Sequence, residues 1–182
     1  MSLRQAHSIE LLPECEGESL SWLRRVARLV RRQCEAEQVH IAPEEEIVFT
    51  RTLPGVPPVY TPQEWDDLTA GRTLHELGPV SNICADWGLL LSQGLLGRRE
   101  VAAATRLRMA DNPKALEFLD CAIETIDAVL DLAARYARQA ALLGRADLES
   151  VLTSVPAYPA HTFREALQSL RLCHSIVWLG GN

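Results

Sequence analysis

A long apolar helix is the feature that most restricts how this 182-residue sequence can fold. Asp111-Asn112-Pro113 is a typical helix start, because an Asp or Asn side chain caps the first turn and proline fits the first helical position. The pattern continues to Leu143 and stops at Gly144. Apolar residues of this helix recur with a seven-residue rhythm: Leu116, Leu119, Ile123, Ile126, Leu130, Ala133 and Ala137.

The charged residues of this helix form one narrow stripe, and apolar side chains fill much of the remaining circumference. Such a helix is packed on several sides in a folded protein. Two or three further helices in a chain of 20.2 kDa are too few to cover it. We therefore expect the natural body to be larger than these residues.

The N-terminal half combines one helix with an irregular segment. Within residues 1–40, a helix is predicted over Glu18–Glu37, where apolar positions recur every three or four residues. Residues 41–88 are expected to be extended or irregular, because prolines and glycines interrupt them. Inside this segment, Ile47–Thr50 is predicted as a short strand and residues 63–69 as one or two helical turns.

Residues 89–182 are predicted to be helical, which makes the chain mainly α. One helix is expected over Trp87–Met109, with Gly94 and Gly97 as candidate breaks, and a short one over Asp147–Ser154. The sequence Thr162–Glu165 is a capping box, which marks the start of the last helix. The predicted inward residues of that helix are Phe163, Leu167, Leu170, Cys173 and Val177.

The charge balance excludes one class of partner. The chain has 24 acidic and 18 basic residues and a net charge of −6, whereas phosphate binding requires a positive face. Nucleic acid is therefore not an expected partner. The Arg-rich run over residues 24–32 is either a solvated helix face or an anion or partner site. The glutamates around it favour the first interpretation, because they can pair with it along the helix.

The sequence also indicates a cytoplasmic protein without a membrane segment. No stretch of 18 residues is free of charge, and the N-terminus lacks the apolar core and cleavage site of a secretory signal. The five cysteines are widely spaced and form no C-x-x-C pair. This is typical of free thiols in a reducing compartment rather than of disulfides or a zinc site.

Residue patterns alone identify no catalytic centre. The common hydrolase, zinc-protease, phosphate-loop and dinucleotide signatures are absent, and the five histidines are scattered, so no metal site is predicted. His75 beside Glu76 is more consistent with a turn than with catalysis. Cys84 is near Asp86, whose negative charge opposes a reactive thiolate. Cys121 and Cys173 lie on apolar helix faces and are predicted to be core residues.

Four blocks nevertheless occur in an informative order over residues 40–182. They are Glu45-Glu46-Ile47-Val48 with Thr61-Pro62-Gln63-Glu64-Trp65, then Asn82-Ile83-Cys84-Ala85-Asp86-Trp87 with Leu90 and Gly94-Leu95, then the long helix through Tyr136-Ala137, and finally VPAYPAHTFREALQ at 155–168 with WLGGN at 178–182. The fourth block is the most specific. In this order the blocks resemble the N-terminal region of glycyl radical enzymes, the pyruvate formate-lyase family with its glycerol dehydratase-like and choline lyase-like branches.

The resemblance implies a fold and a chemistry. Members of that family form a ten-stranded α/β barrel of two five-stranded parallel half-sheets wrapped in helices, and residues 1–182 would be its N-terminal helical part. A glycine near the far C-terminus carries a stable radical, which a separate iron–sulfur, S-adenosylmethionine-dependent activase installs under anaerobic conditions. The radical passes to a cysteine, and the thiyl radical starts C–C, C–O or C–N cleavage.

The sequence departs from this family where the reactive groups are concerned. It contains no Arg-Val-Ser-Gly-Tyr-like segment and no cysteine followed by Glu-Pro. We therefore expect no catalytic residue and no bound cofactor in this chain, which would be inactive alone. The implied partners are the remaining C-terminal part of the enzyme and the activase. Assembly into a homo-oligomer is a further option. The alternatives are a non-catalytic helical binding protein derived from this region and an unrelated helical ligand-binding domain.

Three residues are candidate substrate contacts through the resemblance. Asn82 occupies the place where dehydratase-like members carry a His four residues before the Asp, here Asp86. Gly181 and Asn182 match a small-residue–Asn pair, although Gly180 replaces the usual Glu. An amide can hydrogen-bond a substrate hydroxyl or carboxylate but cannot shuttle protons as imidazole does. The alternative role of both asparagines is turn or helix capping, and that of Asp86 is the N-cap of the following helix.

Overall fold

The computed structural model describes residues 9–53, 55–71 and 85–177. Within these ranges the chain forms helices and no strand. The helices are α1 (Leu12–Gly17), α2 (Trp22–Ala36), α3 (Pro62–Ala70), α4 (Trp87–Arg108), α5 (Pro113–Leu142), α6 (Ala146–Ser154) and α7 (Phe163–Val177). None of these described helices is long and apolar enough to cross a bilayer.

Helix α5 is the centre of the fold, and α2, α4, α6 and α7 all pack against it. Its predicted start is confirmed, since the Asn112 side chain accepts a hydrogen bond from the Ala115 N–H at 3.1 Å. It ends before Gly144, whose φ of +69° is the left-handed conformation that favours glycine. The sequence therefore predicted both ends of α5 to within one residue.

The described residues bury one side of α5 more completely than the other. Of the seven residues in the seven-residue rhythm, Ala133 is buried and the other six are half-buried. The buried face consists of Cys121, Ala128, Val129, Leu132, Ala133, Tyr136 and Ala140. Helix α5 is apolar on two sides. Its contacts with α2 and with the segment before α3 determine which side is buried.

Helix α2 lies along the charged stripe of α5. It begins at Trp22 rather than at the predicted Glu18, because the Ser21 side chain caps it by accepting from the Arg24 N–H at 3.3 Å. Arg31 Nε donates to Glu124 at 2.9 Å, and an Arg24 guanidinium nitrogen lies 3.6 Å from an Asp120 oxygen. The arginines thus pair largely with acids of other elements, whereas the sequence indicated pairing along their own helix.

The predicted strand at Ile47–Thr50 is not formed. Val48 pairs instead with one side chain of α7: its N–H donates to Gln168 Oε1 at 2.9 Å, and its carbonyl accepts from Gln168 Nε2 at 3.0 Å. Phe49 follows with a φ of +103° and packs edge-on against Tyr136, with ring centroids 5.9 Å apart. A glutamine therefore supplies the two hydrogen bonds that a neighbouring strand would make.

The predicted inner face of α7 is only partly buried. Cys173 is buried as predicted and Leu170 and Val177 are half-buried, but Phe163 is 80% exposed and Leu167 is 38% exposed. The buried residues are Gln168, Ser169, Leu172, Cys173 and Ile176. Because Gln168 meets the Val48 backbone from this buried face, Phe163 and Leu167 lie on the other side of the helix.

Candidate functional site

The junction between α4 and the segment 155–160 holds the middle of the fold together. At Gly94, helix α4 breaks with φ +67° and ψ 172°. The freed donors bind the segment, since Leu95 N–H donates to the Pro156 carbonyl at 2.8 Å and Leu96 N–H to the Ala157 carbonyl at 3.0 Å. The Ala160 N–H in turn donates to Leu91 O at 2.9 Å. We call residues 91–96 and 156–160 the Gly94 junction.

Only glycine fits at the centre of the Gly94 junction. A Cβ added to Gly94 would overlap the Ala157 carbonyl oxygen and lie 2.6 Å from the Tyr158 carbonyl carbon. Both are backbone atoms, which cannot move aside without shifting the segment. The sequence indicated a helix break here, but it contained no signal that the break receives another part of the chain.

The Gly94 junction continues into the start of α7. Thr162 and Glu165 form the predicted capping box: the Glu165 N–H donates to Thr162 Oγ1 at 3.2 Å, and the Thr162 N–H donates to a Glu165 carboxylate oxygen at 2.9 Å. These hydrogen bonds lower the pKa of the Glu165 carboxyl, the largest contribution coming from the His161 N–H. Through Gln168, α7 then holds Val48.

Three of the four blocks recognised in the sequence therefore meet in space. Val48 belongs to the first, Gly94 and Leu95 to the second, and Pro156 and Gln168 to the fourth. Their contacts are backbone or buried side-chain hydrogen bonds. The structure explains these motif residues as parts of the scaffold rather than as reactive groups.

Two of these three blocks lie in the region that matches a known protein family. A family model described as pyruvate formate lyase-like matches residues 59–182, about two-thirds of the chain. The chain belongs to this family. No curated protein sequence gives a significant match.

Solved structures extend the family likeness to the fold. The chain is similar to a structure described for 1,2-propanediol dehydration in Roseburia inulinivorans, with a TM-score of 0.69 and 19% identity over 93% of this chain and 29% of that one. A glycyl radical enzyme from Archaeoglobus fulgidus gives 0.67 and 17% identity over 96% of this chain and 32% of that chain. The glycerol-bound B12-independent glycerol dehydratase from Clostridium butyricum gives 0.69 and 18%, with the same coverages as the Archaeoglobus protein. The chain thus spans about 30% of the length of these relatives.

The candidate substrate contacts Asn82, Gly181 and Asn182 lie outside the described residues, as do Cys84 and His75. The described residues next to them do converge. The rings of Trp87, at the start of α4, and His174, in the last turn of α7, are 5.8 Å apart between centroids. The described residues that adjoin the candidates in sequence therefore meet at one corner of the fold, which we call the Trp87–His174 corner.

Asp86 has the structural role that was the alternative to substrate contact. Its side chain accepts a hydrogen bond from the Leu89 N–H at 3.0 Å and caps α4. This cap satisfies one of the free donors at the helix start and holds the orientation of Trp87. Asp86 is thus a positioning residue at the Trp87–His174 corner.

Two cavities lie elsewhere. One of about 450 Å³, between α2 and α5, has Arg135 in its wall, and this side chain donates to the Cys34 carbonyl at 2.8 Å and to the Glu37 carbonyl. The other, of about 460 Å³, lies beside Tyr60 and contains Arg25, which donates to both Glu64 oxygens at 2.9 and 3.0 Å. These contacts of Arg135 and Arg25 hold helix ends and turns in place.

The described cysteines have no thiolate character. Burial raises the pKa of Cys34 and of Cys173 to about 12, and it also raises the pKa of Cys15 and Cys121. All four are free and buried, as predicted for Cys121 and Cys173. In the described part of the chain no three His, Cys, Asp or Glu side chains are grouped so that they could hold a metal ion.

Proposed function

We propose that this chain is the N-terminal helical wall of a glycyl radical lyase or dehydratase that cleaves a C–C, C–O or C–N bond. The observation that carries the proposal is the meeting of three family blocks at the Gly94 junction and at Gln168. Together with the family match, it indicates that the scaffold of the family, and not only its sequence pattern, is retained. In this proposal the helices wrap part of a ten-stranded barrel.

The reactive groups of this enzyme would lie outside the chain. Its sequence has no segment that fits a radical glycine, and the described cysteines are buried core residues. When present, the glycyl radical supplies a thiyl radical that removes a hydrogen atom from the substrate. The partners would be the polypeptide region that houses these groups and a radical S-adenosylmethionine activase, in an anaerobic cytoplasm.

The part of this chain in the reaction would be to form one side of the substrate pocket. The proposal is supported by the Trp87–His174 corner, which brings together the described residues that adjoin Asn82 and Gly181-Asn182 in sequence. An asparagine amide both donates and accepts, so it can orient a substrate hydroxyl or carboxylate without moving a proton. Proton transfer would then depend on groups outside this chain.

A second candidate function is a non-catalytic binding protein built on the same scaffold. The large apolar side chains left exposed on α5 and α7 favour it, because such surfaces mark contacts with another protein. The two proposals differ in what the bound partner contains.

Anaerobic reconstitution separates the two proposals. The chain is combined with the host polypeptide that carries the radical-glycine segment, the host activase, S-adenosylmethionine and a reductant. We expect a glycyl doublet in electron paramagnetic resonance only when that polypeptide is present, and turnover only when this chain is present as well. Asn82→Ala should leave the doublet intact and lower turnover at least tenfold. Turnover without this chain would overturn the enzymatic proposal and favour the binding protein.

A further inference from the structure

The cavity between α2 and α5 contains charged side chains that the fold does not use. Its volume is about 450 Å³, which lies within the usual range of sites for small molecules. The buried apolar residues Ala128 and Leu132 line it, and three arginines and two acids complete its wall. Two of these charged residues, Asp131 and Arg138, form no hydrogen bond or ion pair in the described part of the chain.

Asp131 is unpaired because the base nearest to it on α5 is engaged elsewhere. Ion pairs on a helix form between residues three or four positions apart, and the single base at these distances from Asp131 is Arg135. The Arg135 guanidinium instead donates to the Cys34 carbonyl at 2.8 Å and to the Glu37 carbonyl at the end of α2. The Asp131 carboxylate is therefore left in the wall of the cavity without a cation.

Arg138 is unpaired because no acid stands three or four positions away from it on either side. On the α2 wall of the cavity, Arg31 forms a hydrogen bond through its Nε alone, which donates to Glu124 at 2.9 Å. The second acid of the wall, Glu35, lies 3.4 Å from Arg32 and is paired there. The cavity thus combines guanidinium donors with one free carboxylate.

The two unpaired residues lie on the same side of α5. Asp131 and Arg138 are seven residues apart, which is about two turns and about 10.5 Å along the axis. Long side chains on a helix lean toward its N-terminus, which brings the Arg138 guanidinium closer to Asp131. The ammonium and carboxylate of an α-amino acid are about 2.5 Å apart, and a charge-assisted hydrogen bond adds about 2.8 Å at each end. Such a ligand bridges a gap of about 8 Å, which fits this pair of side chains.

We propose that this cavity, with Asp131, Arg138 and Arg31 as its charged groups, is a binding site for a small α-amino acid with an aliphatic side chain. The ligand ammonium donates to the Asp131 carboxylate, and the ligand carboxylate accepts from the two guanidinium groups. Its side chain covers Ala128 and Leu132. A ligand with only a negative charge would be repelled by Asp131, and one with only a positive charge by the arginines. The site uses none of the groups on which the proposed function rests.

Nuclear magnetic resonance of the full chain tests the site with three probes of equal carbon number. L-2-aminobutyrate carries both charges, whereas butyrate carries only the negative charge and butylamine only the positive one. We expect L-2-aminobutyrate to shift the backbone amide signals of residues 128–138 in a saturable manner. Each single-charge probe should bind at least about tenfold more weakly, because it lacks one charged hydrogen bond. Binding of butyrate or butylamine as tight as that of L-2-aminobutyrate overturns the proposal.

Two variants show which charge each group of the ligand meets. Arg138→Gln should weaken the binding of L-2-aminobutyrate at least about tenfold, and it should weaken that of butyrate more than that of butylamine. Asp131→Asn should weaken L-2-aminobutyrate equally and have the opposite selectivity between the other two probes. The matched controls are Arg108→Gln and Asp66→Asn, because both residues are exposed on other helices, and both controls should bind like the wild type.

Thermal unfolding of each variant shows whether the fold is kept, and all four substitutions are at exposed positions. Weaker binding in Arg138→Gln and Asp131→Asn with wild-type melting supports the site. If L-2-aminobutyrate causes no saturable shift in the wild type, the site does not exist, while the proposed function stands. Equal weakening in the two controls would assign the binding to the overall charge of the protein and also overturn the proposal.

Discussion

Two regions of this molecule hold helices together by different means. In the first, which we call the arginine seam, Arg24 and Arg31 of α2 face the acids of α5 across a half-exposed surface. In the second, the Gly94 junction, backbone donors of α4 bind the 156–160 segment at a helix break. The arginine seam is conspicuous in the sequence, whereas the Gly94 junction depends on one glycine.

The difference shows that a cluster of charged residues in the sequence does not indicate how much a region contributes to stability. Exposed ion pairs contribute little, because water screens them and long side chains lose freedom when they pair. A backbone contact with no room for a Cβ cannot be replaced by solvent. We therefore expect mutations of the Gly94 junction and its neighbours to cost more than mutations of the arginine seam, and four predictions test this order.

The largest effect is expected for Gly94→Ala. The added Cβ would overlap backbone atoms of Ala157 and Tyr158, and a φ of +67° strains any L side chain. We expect the free energy of unfolding to fall by about 3 kcal/mol or more in urea denaturation.

Gly144→Ala is the matched control, since its φ is +69° but no atom lies within 4 Å of the new Cβ. Its loss should be only about 1 kcal/mol. Equal losses for the two variants would show that backbone conformation, and not the close approach of 157–158, accounts for the effect.

The next effect is expected for Gln168→Leu, which leaves the Val48 N–H and carbonyl buried without partners. A loss of about 2 kcal/mol follows from the cost of unpaired buried polar groups. Chemical denaturation measures it. Gln63→Leu is the control, because Gln63 is exposed and donates to Asp67 on its own helix, and it should change stability by less than about 0.5 kcal/mol. A similar loss in both variants would contradict the role of Gln168.

Alkaline pH should lower the free energy of unfolding through two buried thiols of the core. Burial raises the pKa of Cys34, under the arginine seam, and of Cys173, on α7, to about 12. Above pH 9 the unfolded thiols lose protons while the folded ones keep them, so that stability falls as pH rises from about 9 to 12, by at most about 1.4 kcal/mol per pH unit for each group. Well below pH 9 the thiols are protonated in both states, so that stability no longer changes with pH through these groups.

The measurement is the unfolding midpoint from pH 8 to 11 for the wild type and for Cys34→Ala and Cys173→Ala. Each variant should show a shallower fall than the wild type. Buried tyrosines add to the same trend, since burial also raises the pKa of Tyr136 to about 12. Identical slopes in all three proteins would mean that neither thiol stays protonated because of folding.

The smallest effect is expected in the arginine seam itself. Arg31→Gln removes the ion pair with Glu124. The Arg31 side chain is 39% exposed and that of Glu124 is 22% exposed, so the free energy of unfolding should fall by less than about 1 kcal/mol. Raising NaCl to about 0.5 M should remove most of the difference from the wild type, because salt screens exposed charges. A loss comparable to that of Gly94→Ala would reverse the proposed order of the two regions.

Local signals in the sequence predicted a large part of the fold. The Asn112-Pro113 start, the Gly144 stop and the Thr162–Glu165 capping box are each complete within a few residues, and the structure confirms all three. These features depend on backbone groups near in sequence, so a pattern suffices to recognise them. The site could not be predicted to this extent, because the corner formed by Trp87 and His174 joins residues 87 apart.

The sequence by itself determined the mainly helical character of this protein, both ends of α5, the start of α7 and the family, because each of these follows from residue types in a fixed local order. Only the tertiary structure decided which faces of α5 and α7 are buried and why Gly94 must be glycine. A helix that is apolar on more than one side has no preferred inner face until other elements pack against it. In α7 that choice is made by the Val48 backbone, which Gln168 reaches across 120 residues of chain.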